Sequence, residues 1–269
     1  MIEDRQFRLP QGRAQLQQVL AASGDVIHIS DVAKALAVSR TEAAKRLARW
    51  REQGWLSRVG SGAYVPASID TLGSERVLDD AWVLVPALFA PAYVGGRTAA
   101  EHWDLTEQIF KDIVVVTGLV IRERHQKRQG FEFTLKHLKP EKIFGTTPAW
   151  RRNTTVPVSD IHRTIIDMLD DPALGGGIQH VSDCLNAYLK RSDRNDQKLV
   201  EYGDKLGNGA VFKRLGFLAE RRDEAALVEL CRARLTAGNA KLDPALDCKR
   251  LISRWRLLIP PSWAPGDAG

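Results

Sequence analysis

Between Ser39 and Glu52 the chain carries Arg40, Lys45, Arg46, Arg49 and Arg51, with Glu42 the only acid between Arg40 and Arg51. Guanidinium and ammonium groups gathered on one side of a helix have two uses on nucleic acid. They donate to guanine O6 and N7 in the major groove, and they neutralise phosphate. Thr41 adds a hydroxyl for a base edge and a methyl that can pack on thymine. Ala43, Leu47 and Trp50 recur at helical spacing and form the inward face, so the cations lie opposite it. Arg40, Thr41 and Lys45, at the amino end, are the expected base readers. Ser39, Arg46 and Arg49 suit phosphate, and Arg58 with Ser61 suits an adjacent phosphate or the minor groove.

Such a helix needs a frame to hold it, and the flanking sequence supplies one. Arg13 to Ala22 has Leu16, Val19 and Leu20 at helical spacing, stopped by Ser23-Gly24. Ser30 is placed to cap a second helix with Val32, Ala33 and Leu36 on one face, and Ala37-Val38 makes a tight turn. Ser39 caps the third helix, which runs to about Gln53 before a left-handed Gly54. Trp55 to Val59 and Ala63 to Pro66, joined by Gly60-Ser61-Gly62, read as a hairpin. Three helices and a hairpin within some sixty residues predict a winged helix-turn-helix, whose third helix enters a major groove. The competing reading is a small bundle that serves protein contacts.

Charge distribution agrees with a polyanionic partner. Up to Pro66 there are ten Lys and Arg against six acids, so +4 of the +6 net charge falls in this quarter of the 269 residues. Cys184, Cys231 and Cys248 are too few for a disulfide framework, which suits a reducing cytoplasm. Met1 to Arg8 lacks an apolar signal segment, and the uncharged run Ala81 to Gly96 is interrupted by Pro86 and Pro91. A cytoplasmic protein with no membrane partner is expected.

The expected division is 1–66 for the winged helix, 67–74 for a small polar linker, 75–258 for a second domain and 259–269 for a flexible tail. Glu75 to Phe89 reads as a helix broken at Pro86, Ala92 to Gly95 as a strand, Thr98 to Trp103 as a helix and Ile113 to Thr117 as a β-branched strand. Leu119 to Arg124 and Gly130 to Leu135 suggest a hairpin whose tip bears Arg122, Arg124, His125, Lys127 and Arg128. Of these, Arg122, Arg124, Lys127 and Arg128 are candidate additional phosphate contacts. Lys190, Arg191 and Arg194 form a second basic run. From Ser159 helices dominate, at Ser159 to Leu169, Ile178 to Lys190, Asp196 to Leu206, Ala210 to Ala219 and Asp223 to Ala237. Strands followed by a run of helices predict an α+β class for the second domain, with a helical C-terminal part.

Chemistry beyond charge is scarce there. The six histidines share no metal-ligand spacing with one another or with the cysteines, so no metal and no cofactor are expected. Gly175-Gly176-Gly177 follows Pro172 and precedes a helix, which a capped turn explains better than a phosphate cradle. A metal-dependent nuclease would need clustered carboxylates, and Asp112, Glu123 and Glu132 are the only candidates near the strands. A non-enzymatic role is therefore expected.

Over nearly its full length, to about Ala237, the chain resembles the AbiEi-type antitoxins of bacterial abortive-infection, type IV toxin-antitoxin systems. The matching stretches are the winged helix, Ala92 to Glu107 (AYVGGRTAAEHWDLTE), Ile113 to Thr117, Ile143-Phe144-Gly145, Val158 to Asp167 leading to Gly175-Gly176-Gly177, and Gly207 to Leu218. Trp103 and His162 depart from the pattern. The resemblance implies a protein that binds inverted repeats in its operon's promoter and represses it. It further implies that the second domain counters a nucleotidyltransferase toxin encoded alongside, without a stable complex. Alternatives are a winged-helix regulator with a ligand- or protein-sensing second domain, and a nuclease. Arg97, Glu101, Arg163 and Asp167 lie in these stretches, and internal ion pairs are their expected role.

Overall fold

The computed structural model describes residues 10–67 and 80–264. The chain is mixed α+β and forms two compact units. The first unit runs to Ala90 and takes in Lys127–Gly130 and Ala149–Val156; the second holds Pro91–Gln126, Phe131–Pro148 and the chain from Pro157. The division therefore falls after Ala90, later than the small polar stretch suggested, and residues 68–74 of that stretch lie outside the described residues.

The first unit opens with α1 (Gln11–Ala22), β1 (Ile27–His28), α2 (Ile29–Leu36), α3 (Arg40–Glu52), β2 (Leu56–Gly60) and β3 (Ala63–Pro66). The three strands form an antiparallel sheet in the order β1-β3-β2, with Ile27 opposite Tyr64 and Ser57 opposite Val65. Its core is Leu16, Val19, Ile27, Val32, Ala43, Leu47, Trp50, Leu56 and Tyr64, drawn from every element. Helix α2 starts earlier than Ser30 suggested. His28 is the cap residue, its backbone N–H donating to Asp31 Oδ2 at 2.8 Å, and Ser30 lies inside the first turn with its hydroxyl on Asp31 Oδ1. Asp31 competes better for that site because a carboxylate accepts a charge-assisted bond and also favours the positive helix end. Further along, a 3-10 turn at Ala81–Val83 leads into α4 (Leu84–Phe89). Pro86 does not break this helix, because in the first turn its missing N–H has no helical partner to lose. The expected start at Glu75 lies outside the described residues.

Beyond Ala90, β4 (Ala92–Val94) and α5 (Gly96–His102) precede β5 (Asp112–Thr117), β6 (His125–Arg128), β7 (Phe131–His137), β8 (Thr146–Arg151) and β9 (Thr154–Ser159), of which residues 127–128, 149–151 and 154–156 are counted in the first unit. The six-stranded sheet has the order β6-β7-β5-β4-β9-β8, with β5 parallel to β7, antiparallel to β4, and β4 parallel to β9. The basic hairpin differs from expectation: the chain pairs at His125–Arg128 and turns at Gln129-Gly130, both at positive φ (50° and 82°). The basic residues at 127 and 128 are thus strand residues beside a two-residue turn, which positive φ at both central positions suits.

Helices α6 (Ile161–Asp170), α7 (Ile178–Leu189), α8 (Asp196–Leu206), α9 (Gly209–Glu220) and α10 (Ala225–Arg232) follow. The chain closes with β10 (Ala240–Lys241), β11 (Arg250–Ile252) and β12 (Leu257–Ile259), ordered β10-β12-β11. Reading 259–269 as a flexible tail is corrected for its first part. Ile259 is a fully buried strand residue, Trp263 is 9% exposed and belongs to the helical core, and 265–269 lie outside the described residues. Pro260 and Pro261 gave the sequence its loop-like look, yet prolines tolerate a strand end and the first turn of a helix. Gly216 in α9 admits Trp255, since a Cβ there would stand 2.0 Å from the indole.

Candidate nucleic-acid interface

Helix α3 begins where Ser39 Oγ accepts the Glu42 N–H at 3.2 Å. This cap follows from the Ser-x-x-Glu spacing, although only the serine half of a capping box forms. The preceding turn closes with Ala37 at φ 52°, and the helix ends before Gly54 at φ 73°. Ala43, Leu47 and Trp50 are 0%, 0% and 2% exposed, so they lock the rotation of the helix about its axis. With that rotation fixed, Thr41, Lys45 and Arg49, four residues apart, form an exposed row along the outer face. Arg40 is exposed at the amino end, on the flank nearer Leu47.

The remaining expected contacts occupy varied settings. Arg46 is half-buried and its Nε donates to Glu42 Oε1 at 3.2 Å, so its charge is answered within the helix. On the wing, Arg58 is exposed with Nε on the Gly60 carbonyl at 3.0 Å, and Ser61 is exposed at the turn. Within the same unit, Gln129 Nε2 donates to the Arg58 carbonyl at 3.0 Å. That bond ties the Lys127–Gly130 segment to the wing strand, and Lys127 and Arg128 are both exposed. Asp25 Oδ2 accepts from the Asn153 N–H at 3.1 Å and from the Thr154 hydroxyl at 2.9 Å, fixing the turn between α1 and β1 in a similar way. Sequence reasoning missed both ties, since neither Gln129 nor Asp25 carries a local signal of a partner more than seventy residues away.

Arg122 and Arg124 belong to the second unit. Arg122 is exposed, whereas Arg124 reaches Asp171 Oδ2 at 2.9 Å. The run at 190–194 is likewise compensated, Arg191 pairing with Asp193 and Arg194 with Asp196 and Glu224.

The family-like stretches of the second unit converge on one buried network. Arg163 is fully buried; its Nε donates to Asp167 Oδ1 at 2.8 Å and its Nη2 to the Tyr93 hydroxyl at 2.9 Å, while that hydroxyl donates to Asp167 Oδ2 at 2.9 Å. The guanidinium lies 4.1 Å over the Phe144 ring. Burial raises the Asp167 carboxyl above its ordinary value, against the pull of Arg163, and burial likewise pushes the Tyr93 phenol well up. Arg97 pairs with Asp112, which also accepts from Thr134 Oγ1 at 2.6 Å. Glu101 forms no ion pair among the described residues. Arg97, Arg163 and Asp167 thus hold the interior together. The glycine run 175–177 is a turn after a 3-10 segment, with Gly176 and Gly177 at φ 81° and 94°. No group of His, Cys, Asp and Glu among the described residues is arranged to hold a metal ion, and no described helix is long and apolar enough to cross a membrane.

Fold and site together define the first unit as a winged helix-turn-helix with a cationic outer face on its third helix. Residues 14–67 match the family described as "Transcriptional regulator, AbiEi antitoxin", so the resemblance read from the sequence holds over this segment. Comparison with curated proteins gives no match.

Proposed function

We propose that the protein is a DNA-binding transcriptional autorepressor and an antitoxin, countering a nucleotidyltransferase toxin encoded alongside it. The observation that carries the DNA-binding half is the exposed row Thr41, Lys45 and Arg49 on a helix whose rotation is locked by Ala43, Leu47 and Trp50. In a winged helix that face enters the major groove, where Arg40, Thr41 and Lys45 read bases. Ser39, Arg49, Arg58 and Ser61 grip phosphate, with Lys127 and Arg128 extending the contact beside the wing. Arg46 serves Glu42 first, and Arg122 and Arg124 are secondary. The operator is double-stranded DNA, with inverted repeats. The second unit carries the antitoxin function without enzymatic chemistry, in the cytoplasm and in defence against phage.

Two experiments separate the halves. Purified protein should retard a duplex from its own upstream region, and unrelated duplex of equal length should compete poorly. Growth rescue with the toxin driven from an unrelated promoter tests the antitoxin half, because repression is then removed as an explanation. Rescue that appears only under the native promoter would leave a plain repressor.

A further inference from the structure

Glu42 is the one acid on α3 between Arg40 and Arg51, and it sits in the amino-terminal turn that a winged helix presents to bases. A glutamate three residues after a serine cap ordinarily folds back onto the cap N–H. Here the Ser39 hydroxyl makes its half of that exchange, but the Glu42 carboxylate turns the other way, to Arg46 Nε at 3.2 Å. The pair is unequal in exposure, with the Arg46 side chain at 23% and that of Glu42 at 45%. Oε1 is held by Arg46, and Oε2 accepts no hydrogen bond among the described residues.

A carboxylate so placed has a narrow choice of base. Guanine presents O6 and N7 and thymine presents O4 in the major groove, all acceptors that repel it; adenine sets its N6 amino donor directly beside the N7 acceptor, whereas the cytosine N4 amino group donates with no acceptor on its own base edge beside it. Phosphates repel it on every sequence alike. Resting on the DNA-binding reading above, we propose that Glu42 is a specificity-determining residue that selects cytosine at one position of each half-site, and that Arg46 is the positioning residue that aims its carboxylate. The pair lowers affinity for DNA in general and restores it only where an amino donor faces Oε2. Arg46 then adds little to phosphate binding, in contrast to Arg49.

The test is selection of bound duplexes from a randomised pool with wild-type, Glu42→Gln and Arg46→Gln full-length protein, followed by titrations on the selected site and on random duplex. Wild type should enrich cytosine at one position per half-site. Glu42→Gln should lose that preference, bind random duplex more tightly, and cut the ratio of specific to random affinity about fivefold or more. Arg46→Gln should lose the same preference while keeping the wild-type salt slope, whereas loss of a phosphate contact would reduce that slope by about one. An unchanged base preference in Glu42→Gln would overturn the proposal. So would a reduced salt slope in Arg46→Gln with cytosine preference intact. A wild type that enriches no sequence at all would instead sink the DNA-binding reading beneath it.

Discussion

Replacing Arg163 by Met tests whether the second unit's most polar buried group builds the fold or does chemistry. The side chain is fully buried, bonded to Asp167 and Tyr93, and stacked 4.1 Å over Phe144. Methionine keeps the apolar stem but ends about where Nε stood, so charge, hydrogen bonding and the stacking on Phe144 are lost together. Asp167, 3% exposed, is then left with the Tyr93 hydroxyl and the more distant charge of Lys136, with no hydrogen-bonded cation. Removing one partner of a buried pair costs about 3–5 kcal/mol, since the other charge remains desolvated. For a unit of this size each kcal/mol moves the melting temperature by about 2–4 °C, so a fall of about 10 °C is expected. Replacing both charges, Arg163→Met with Asp167→Leu, should recover most of that loss, because the orphan charge is gone. The assay is thermal unfolding followed by circular dichroism on the single and double variants. A single variant that melts within about 1 °C of wild type but fails to neutralise the toxin would refute the reasoning. Arg163 would then be a functional residue and not a structural one.

Three further outcomes follow from the same geometry. Burial would raise the Asp160 carboxyl, but the His162 ring 3.7 Å away, the Arg163 N–H, Lys198 and Tyr202 outweigh it and hold the group well below the usual carboxylate range. A depressed folded-state pKa gives stability that is full above the unfolded value near 4 and is lost as pH falls below it. Asp160→Asn should therefore flatten the acid limb of a melting-temperature profile between about pH 2.5 and 6, and an unchanged limb counts against it; Asp167, raised by burial, acts in the opposite sense and is common to both proteins. Cys184 and Cys231 thiols are pushed up to about 12 by burial, so iodoacetamide at about pH 8 should leave both unlabelled in native protein and modify them after urea unfolding. A fragment ending at Ala67 loses Asn153 and Thr154 from Asp25, Gln129 from Arg58 and Leu88 from its seat over Gly60. It should have a clearly lower urea midpoint than the same segment in the full chain, and an equal midpoint would mean that these ties carry no stability.

The winged helix was legible because its signals are local. Period-3.6 apolar residues, a serine cap and Gly54 fix α3 to within a residue or two, and the exposed row follows from that rotation. In the second unit the strand Asp112–Thr117 and the helix Asp196–Leu206 were equally plain, the strand from its β-branched run, and in the structure the helix is capped by Asn195 and stopped by a left-handed Gly207. What escaped depends on distant partners. The two-residue β1 is strand only because Tyr64 and Ala63 pair with it, and β8 and β9 are interrupted by Pro148 and Pro157, which argue against strands in sequence. The fate of each cation was also hidden. Arg46 and Arg49 look alike in the sequence, yet only Arg46 has Glu42 one turn away on its own flank.

This bears on how the family-like stretches should be weighed. Outside the matched segment 14–67, their polar residues are spent on one another: Tyr93, Arg163 and Asp167 share one network, and Phe144 lies against Arg163. Arg214, from the stretch Gly207 to Leu218, gives its donors to the carbonyls of Leu169, Asp170, Lys241 and Leu242. A guanidinium closing four carbonyls with no carboxylate partner is a structural cross-link, and Lys, with three donors on a single nitrogen, does not reproduce it. Motif residues consumed in this way define how the second unit folds, and they leave the proposed action on a toxin to groups that face solvent. Mutations that seek antitoxin function at Arg163 or Arg214 will report folding first. Exposed positions such as Arg122, Ile109 and Val120, the last two 86% and 87% exposed, are where a loss of neutralisation with an unchanged melting temperature would carry meaning.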